Sequence, residues 1–104
     1  MPNTHRGEID AELGGKTWRL CLTLGALAEL EAAYGGEDLL ALAQRFEQGR
    51  IGARDALRII AAGLRGAGNA VSDDEAAAMT APGGAAGYLR IVVRLLTATF
   101  AEPA

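Results

Sequence analysis

Two adjacent glycines near the start of the chain, Gly14 and Gly15, are the feature that most constrains its fold. Short runs in which apolar and polar residues alternate lie on both sides of them. Because glycine adopts positive φ angles without a steric penalty, a Gly-Gly pair between two such runs is typical of the type I′ or II′ turn of a β-hairpin. The sequence therefore predicts an antiparallel hairpin over about residues 7–13 and 16–22.

The turn also determines which residues of the two strands face each other. The expected pairs are Leu13 with Lys16, Glu12 with Thr17, Ala11 with Trp18, Asp10 with Arg19, Ile9 with Leu20 and Glu8 with Cys21. This register gives one largely apolar face and one polar face, and a slip of one residue would mix them. Because an isolated hairpin is only marginally stable in water, we expect the following helices to cover its apolar face.

Helical spacing and helix-ending signals follow the hairpin. Thr23 is the predicted N-cap of a first helix that ends at about Tyr34, before Gly35. Further helices are predicted over about 37–48, 53–65, 73–80 and 85–101, the fourth opened by a capping box of Ser72 and Glu75. The predicted class is α+β, mainly α, with the hairpin packed on four to five short helices. We expect a single domain over 1–104, with 1–6 flexible and 66–71 and 82–84 as internal connectors.

Apolar spacing predicts which faces of the helices are buried. The expected inward residues are Leu24, Leu27, Ala28, Leu30, Glu31 and Tyr34 in the first helix, Leu39, Leu42, Ala43 and Phe46 in the second, and Leu57, Ile60, Ala61 and Leu64 in the third. In the last helix the predicted buried stripe is Leu89, Val92, Val93, Leu96 and Phe100, with Ile91 and Leu95 outside it. That helix is apolar over a wide arc, so it is expected either to be central to the fold or to offer a spare face to a partner.

The sequence contains no catalytic or metal-binding constellation. Its one histidine, His5, lies in a polar lead, and its one cysteine, Cys21, excludes an internal disulfide. Carboxylates gather at helix starts, where they serve as caps, and the net charge of −3 gives no general reason to bind nucleic acid or an anionic membrane. We expect a protein that is not an enzyme, uses no cofactor or metal, and works in the cytoplasm without a membrane segment.

Nucleic-acid binding stays open as an alternative function. Residues 38–48 and 53–65 are spaced like a helix-turn-helix, and the densest basic group of the chain is Arg50, Arg54, Arg58 and Arg65. The second of these helices lacks the Asn, Gln, Ser and Thr residues that usually read base edges alongside Arg. A regulator of this kind therefore ranks below a protein that binds other proteins.

The order of these segments resembles a known family. The run HRGEIDAELGGKTWRLCLTLGALAELEAAYG, followed by DLLALAQRF, ARDALRIIAAGLRGAG and SDDEAAAM, is similar to the gene transfer agent proteins grouped with phage tail assembly chaperones. The resemblance covers about residues 5–100. It implies a protein encoded among tail genes, between the tail tube protein and the tape measure, that binds one or both of them before the tube polymerises.

The resemblance brings no catalytic residues with it, and it implies a location in the host cytoplasm or on phage-like particles. A minor structural component of the tail is a second alternative, and self-association into a homo-oligomer also stays open. The expected contacts are the aromatic anchors and the spare apolar residues of the last helix. These candidate interaction residues are Trp18, Tyr34, Tyr88, Ile91, Leu95 and Phe100.

Overall fold

A computed structural model describes residues 7–100 of the chain as a two-stranded hairpin followed by five helices. The elements are β1 (Glu8–Leu13), β2 (Lys16–Cys21), α1 (Leu24–Ala33), α2 (Leu39–Glu47), α3 (Ala53–Gly66), α4 (Asp73–Ala77) and α5 (Gly84–Phe100). The predicted class, α+β and mainly α, is confirmed. The predictions for residues 1–6, His5 included, lie outside the described residues, and the single domain over 1–104 stays a prediction.

The hairpin has the predicted register. Its strands pair antiparallel from Glu8 opposite Cys21 to Leu13 opposite Lys16. Gly14 has φ 60° and Gly15 has φ 79°. Positive φ at both turn positions is what a type I′ turn requires, so the two glycines set the register of the sheet.

The two faces of the hairpin also differ as predicted. On the polar face Arg19 Nε lies 3.3 Å from Asp10 Oδ1. The buried apolar residues of the hairpin are Ile9, Ala11, Leu13 and Leu20. Both outer edges are met by side chains, because Arg94 donates to the Asp10 carbonyl at 2.7 Å and Asn69 donates to the Arg19 carbonyl at 2.9 Å.

Helix α3 is the central element and packs against β2, α1, α4 and α5. Its buried residues are Ala56, Ile59, Ile60, Ala61, Ala62, Gly63 and Leu64. Two glycines permit the closest approaches. A Cβ added to Gly63 would lie 2.7 Å from Leu95 Cδ2 on α5, and one added to Gly66 would lie 2.0 Å from the Cys21 carbonyl oxygen of β2.

The predicted helix starts are confirmed in their hydrogen bonds. The side chains of Thr23 and Asp38 accept bonds from the backbone N–H groups three residues on, at 3.1 and 2.8 Å. Ser72 and Glu75 form the predicted reciprocal capping box, with both bonds at 3.1 Å. Because these caps satisfy N–H groups that have no partner inside the helix, they locate the helix starts.

The predicted inward face of α1 is wrong in part. Leu24, expected inside, is 81% exposed, and Ala28, also expected inside, is exposed as well. Leu30 is buried as expected, and Ala26, which was not expected inside, is buried too. The cause is the close packing of α1 on α3, because a Cβ on Gly66 would lie 3.3 Å from the Ala26 Cβ. This contact turns the face containing Ala26 and Leu30 towards the core and Leu24 towards solvent.

The predicted stripe of α5 is also wrong, although Val92 is buried as expected. Ile91 and Leu95, which were expected outside the stripe, are 6% and 0% exposed. Residues expected inside are exposed instead: Leu89 by 42%, Val93 by 54% and Phe100 by 45%. The helix is turned about its axis because Leu95 occupies the space that Gly63 leaves open on α3.

Candidate protein interaction surface

Because α5 is rotated about its axis in this way, an apolar stripe of the helix lies on the outside of the protein. Leu89, Val93, Leu96 and Phe100 follow one another at intervals of three or four residues, so they lie along one side of the helix. We call these four residues the α5 surface. Leu89, Val93 and Phe100 are exposed and Leu96 is half-buried.

A groove runs along each half of the α5 surface. The first groove, about 390 Å³, lies between the start of α3, helix α4 and the start of α5, and its lining includes Ile51, Leu57, Tyr88 and Leu89. The second groove, about 400 Å³, lies between α2 and the end of α5, and its lining includes Phe46, Ile51, Val93, Leu96 and Phe100. Ile51 lines both grooves, so they lie next to each other.

Small residues make up much of the lining of the first groove. These are Gly52, Ala53, Ala56, Ala76, Ala77 and Ala85. Tyr88 also lines the groove, and its hydroxyl donates to the Met79 carbonyl, which holds the ring in place. Small side chains in the lining leave room for large apolar side chains of a partner.

A polar cluster around Asp55 joins three elements of the fold. The Tyr34 hydroxyl donates to Asp55, Arg45 Nη2 lies 3.6 Å from the same carboxylate, and the Gly52 N–H donates to it at 2.8 Å. Burial, followed by the hydrogen bond to Asp55, raises the pKa of Tyr34 to about 12. The Tyr34 ring also meets Phe46 edge to face, so the cluster links the end of α1, helix α2 and the start of α3.

The predicted basic group does not form one surface. Arg65 is paired with Glu29 and with Asp73, whose carboxylate lies 3.0 Å away. Arg58 lies over the Tyr34 ring at 5.1 Å from its centroid. Arg54, by contrast, lies in the exposed first turn of α3. The rest of α3 is largely covered by β2, α1, α4 and α5. Little of this helix is therefore exposed for insertion into a groove of DNA.

Four of the predicted interaction residues lie on α5: two of them line the grooves and two are buried in the core. Tyr88 lines the first groove and Phe100 the second. Ile91 and Leu95 are buried in the core instead, so their side chains are not presented to a partner. The contact roles of Tyr88 and Phe100 stay predictions.

The other two predicted residues lie away from the α5 surface, and their contact roles also stay predictions. Trp18 is half-buried on the hairpin, where its indole N–H donates to the Leu13 carbonyl at 3.0 Å and Lys16 Nζ lies 4.7 Å from its ring centroid. Tyr34 belongs to the Asp55 cluster. Both rings are therefore engaged within the fold.

Sequence reasoning missed Leu89 and Val93 as surface residues. A signal for the true inward face is present in the series Gly87, Ile91 and Leu95, which are four residues apart. Gly87 is buried together with Ile91 and Leu95, so this series follows the inward side of α5. Leu89 and Val93 lie off that side.

Other chemical features of residues 7–100 are few. This part of the chain contains no group of three or more His, Cys, Asp or Glu side chains placed to hold a metal ion. Burial, followed by the charge of Glu8, raises the pKa of the Cys21 thiol. None of the helices over the same residues has the length and apolarity needed to cross a membrane.

The described residues form a small α+β protein with an exposed apolar stripe on α5 between two grooves. Over residues 6–102 the sequence matches the family described as phage tail tube protein, GTA-gp10. Because this match covers nearly the whole chain, the chain belongs to that family. The expected relation to gene transfer agents and phage tails is thereby confirmed. No curated protein and no solved structure gave a significant match.

Proposed function

We propose that this chain is a non-enzymatic tail assembly chaperone. In the producing cell it holds an apolar helical segment of another tail component, the tape measure or the tail tube protein, before the tube polymerises. The observation that carries the proposal is the α5 surface, open between two apolar grooves. Exposed contiguous apolar surface of this kind marks a contact site in a soluble protein.

The shape of the surface suits a helix as the bound segment. From Leu89 to Phe100 the α5 surface is about 16 Å long at the helical rise of 1.5 Å per residue. A partner helix of about three turns would cover that length, with its apolar side chains in the two grooves. Binding of an amphipathic helix in an apolar groove is a common mode of peptide recognition.

The hairpin edges support a role other than building a continuous sheet between copies. Such a subunit would need free backbone groups on an outer strand. Arg94 occupies the Asp10 carbonyl on the β1 edge, and Asn69 occupies the Arg19 carbonyl on the β2 edge. The family description nevertheless names a tail tube protein, so a minor structural component of the tail is the second candidate function.

Co-purification tests the proposal directly. The chain would be expressed with the tape measure protein and, separately, with the tail tube protein of the same producing strain. We expect a stable complex with at least one of them, and about a tenfold or greater loss of affinity when Leu89→Asp and Val93→Asp are combined, because central apolar contacts carry most of a binding energy. Leu24→Asp, the same change at an exposed leucine of α1, is the matched control.

Gene deletion provides the test in the cell. Without the chaperone the helical partner would aggregate before the tube forms, so tails should be missing or strongly reduced in electron micrographs. Complementation with the Leu24→Asp variant should restore them, and complementation with the Leu89→Asp, Val93→Asp variant should not. Particles with tails of normal number and length in the deletion strain would contradict the proposal.

A further inference from the structure

We propose that the second groove selects a basic side chain, lysine or arginine, at one position of the apolar helical segment that it binds. The inference rests on the proposed function, because it concerns the chemistry of the segment bound at the same surface. It comes from Glu47, which belongs to α2 and lines the groove. Among the described residues that line the two grooves, Glu47 is the one that has a charge.

The lining around Glu47 suits a side chain with an apolar stem and a cationic end. Six of the eight lining residues are apolar, and the other polar one is Thr97 on α5. The Thr97 hydroxyl can accept a hydrogen bond from a cationic group, as the carboxylate can. Lysine and arginine fit this combination, because their alkyl stems pack on apolar surface while their charged ends reach polar groups.

Glu47 has a position that helix stability does not favour. It is the last residue of α2, where the free carbonyl groups of the helix carry a partial negative charge that disfavours a carboxylate. The side chain is exposed and takes part in none of the ion pairs within residues 7–100. Its carboxylate is therefore open to a cation supplied by a partner.

The arginines of the neighbouring segments do not occupy this carboxylate. Arg45 of α2 is paired with two other carboxylates, and Arg94 of α5 donates to a carbonyl of the hairpin. Arg90 lies against the turn before α5. Arg50 follows Glu47 by three residues, but the two form no ion pair in the described part of the chain. A basic group of the partner would thus meet a carboxylate that no arginine has already paired.

Synthetic helical peptides test the inference. All share a Leu-rich apolar face and an uncharged outer face, and one residue at the border of the apolar face is Lys, Gln or Glu. The position of that residue is moved along the peptide from set to set, and binding is measured by fluorescence anisotropy. At one or more positions we expect the Lys peptide to bind at least about fivefold more tightly than the Glu peptide, with Gln between them. High salt should reduce the preference, because it screens charges near the surface.

Glu47→Lys provides a second measurement on the protein. It should reverse the preference, so that the Glu peptide binds more tightly than the Lys peptide at the same position. Thermal unfolding should show equal or higher stability, because a basic residue is favoured at a helix C-terminus. Weaker binding of the Lys peptide without a loss of stability distinguishes a contact role from a structural one. Glu12→Lys, at an exposed position of the hairpin, changes the net charge equally and should leave the preference as in the parent chain.

The results separate this inference from the proposed function. If the Lys, Gln and Glu peptides bind equally at every position, or Glu47→Lys leaves the preference unchanged while Leu89→Asp with Val93→Asp abolishes binding, the inference is overturned and the chaperone function stands. If no peptide binds but a tail protein does, that complex decides: a loss of about fivefold with Glu47→Lys supports the inference, and unchanged affinity overturns it. If neither peptides nor tail proteins bind, the proposed function fails and the inference fails with it.

Discussion

Gly66 is the position at which a single methyl group should be most costly. A Cβ there would overlap the Cys21 carbonyl oxygen at 2.0 Å, and neither backbone can move without separating α3 from β2. We expect Gly66→Ala to lower the free energy of unfolding by about 2–3 kcal/mol, as overpacking in a tight interior does. Urea unfolding followed by circular dichroism measures the change.

Gly25→Ala is the matched control for this substitution. Gly25 lies in α1, and the nearest atom to an added Cβ is Thr23 Oγ1 at 3.9 Å. Alanine has the higher helix propensity, so this variant should gain up to about 1 kcal/mol. Equal unfolding midpoints for the two variants would show that α3 and β2 are not packed as closely as the structure has them.

Tyr34 should make the stability of the protein depend on alkaline pH. Its pKa is about 12 in the folded chain, against an ordinary value of 10.0, because of burial and the hydrogen bond to Asp55. The folded state therefore keeps the phenolic proton where the unfolded state loses it. The contribution of Tyr34 to stability is complete below pH 10 and is lost as the pH rises to about 12.

Comparison with Tyr34→Phe isolates this effect. The variant loses the hydrogen bond to Asp55, so it should be less stable at neutral pH, but the stability gap to the parent chain should narrow between about pH 10 and 12. Absorbance of the phenolate during a pH titration gives an independent reading. A gap that stays constant over this range would mean that Tyr34 ionises normally in the folded protein.

Among the elements, the hairpin could be predicted in full because its determinants are local. Gly14 and Gly15 fix the turn, and a period of two residues fixes the faces, so a wrong register would bury charges such as Asp10. The helix caps could be predicted for the same reason. The cap and the N–H it satisfies are separated by only a few residues of sequence.

The inward face of α5 could not be predicted because its determinant lies on another helix. The apolar arc of α5 is wide enough for several orientations, and spacing alone favoured the stripe that begins at Leu89. The observed orientation depends on Gly63 of α3, which leaves room for Leu95. The same cause explains the error in α1, where Gly66 determines the position of Ala26.

Aspartate substitutions test the orientation of α5. Val93→Asp places a charge on the exposed side and should cost at most about 1 kcal/mol of stability. Ile91→Asp places an unpaired charge among buried residues and should cost at least about 3 kcal/mol or unfold the protein. Thermal unfolding compares the two, and a similar loss in both variants would show that the assigned faces are wrong.

Helix α2 should respond to the loss of Asp55 more than the rest of the fold does. Asp55 connects α2 to α3 through Arg45, and positive-φ glycines, Gly36 and Gly49, lie close to the two ends of the helix. We expect Asp55→Ala to speed amide exchange in α2 by about tenfold or more while the buried middle of α3 stays protected, since local opening follows the loss of local contacts. Arg54→Ala, the exposed neighbour, should leave both helices unchanged.

At the scale of the whole molecule, the core and the interaction surface compete for the same apolar residues. Sequence indicated that α5 has more apolar surface than one core face needs, and the structure confirms this excess. The positions of the aromatic residues, however, do not indicate where this extra apolar surface lies. Trp18 and Tyr34 are engaged within the fold, whereas Leu89 and Val93 are exposed beside the two grooves.

The fate of the chain after assembly separates the two candidate functions. A chaperone covers the apolar face of its partner only until the tube forms, so both the partner and the α5 surface must then be released. We expect quantitative mass spectrometry to find the chain in complexes from producing cells but at no more than trace levels in purified, salt-washed particles. Tail tube and tape measure proteins in the same samples provide the reference amounts. A fixed copy number that survives high salt would contradict the chaperone and favour the minor structural component, because only a subunit whose α5 surface stays covered in the finished tail would remain bound.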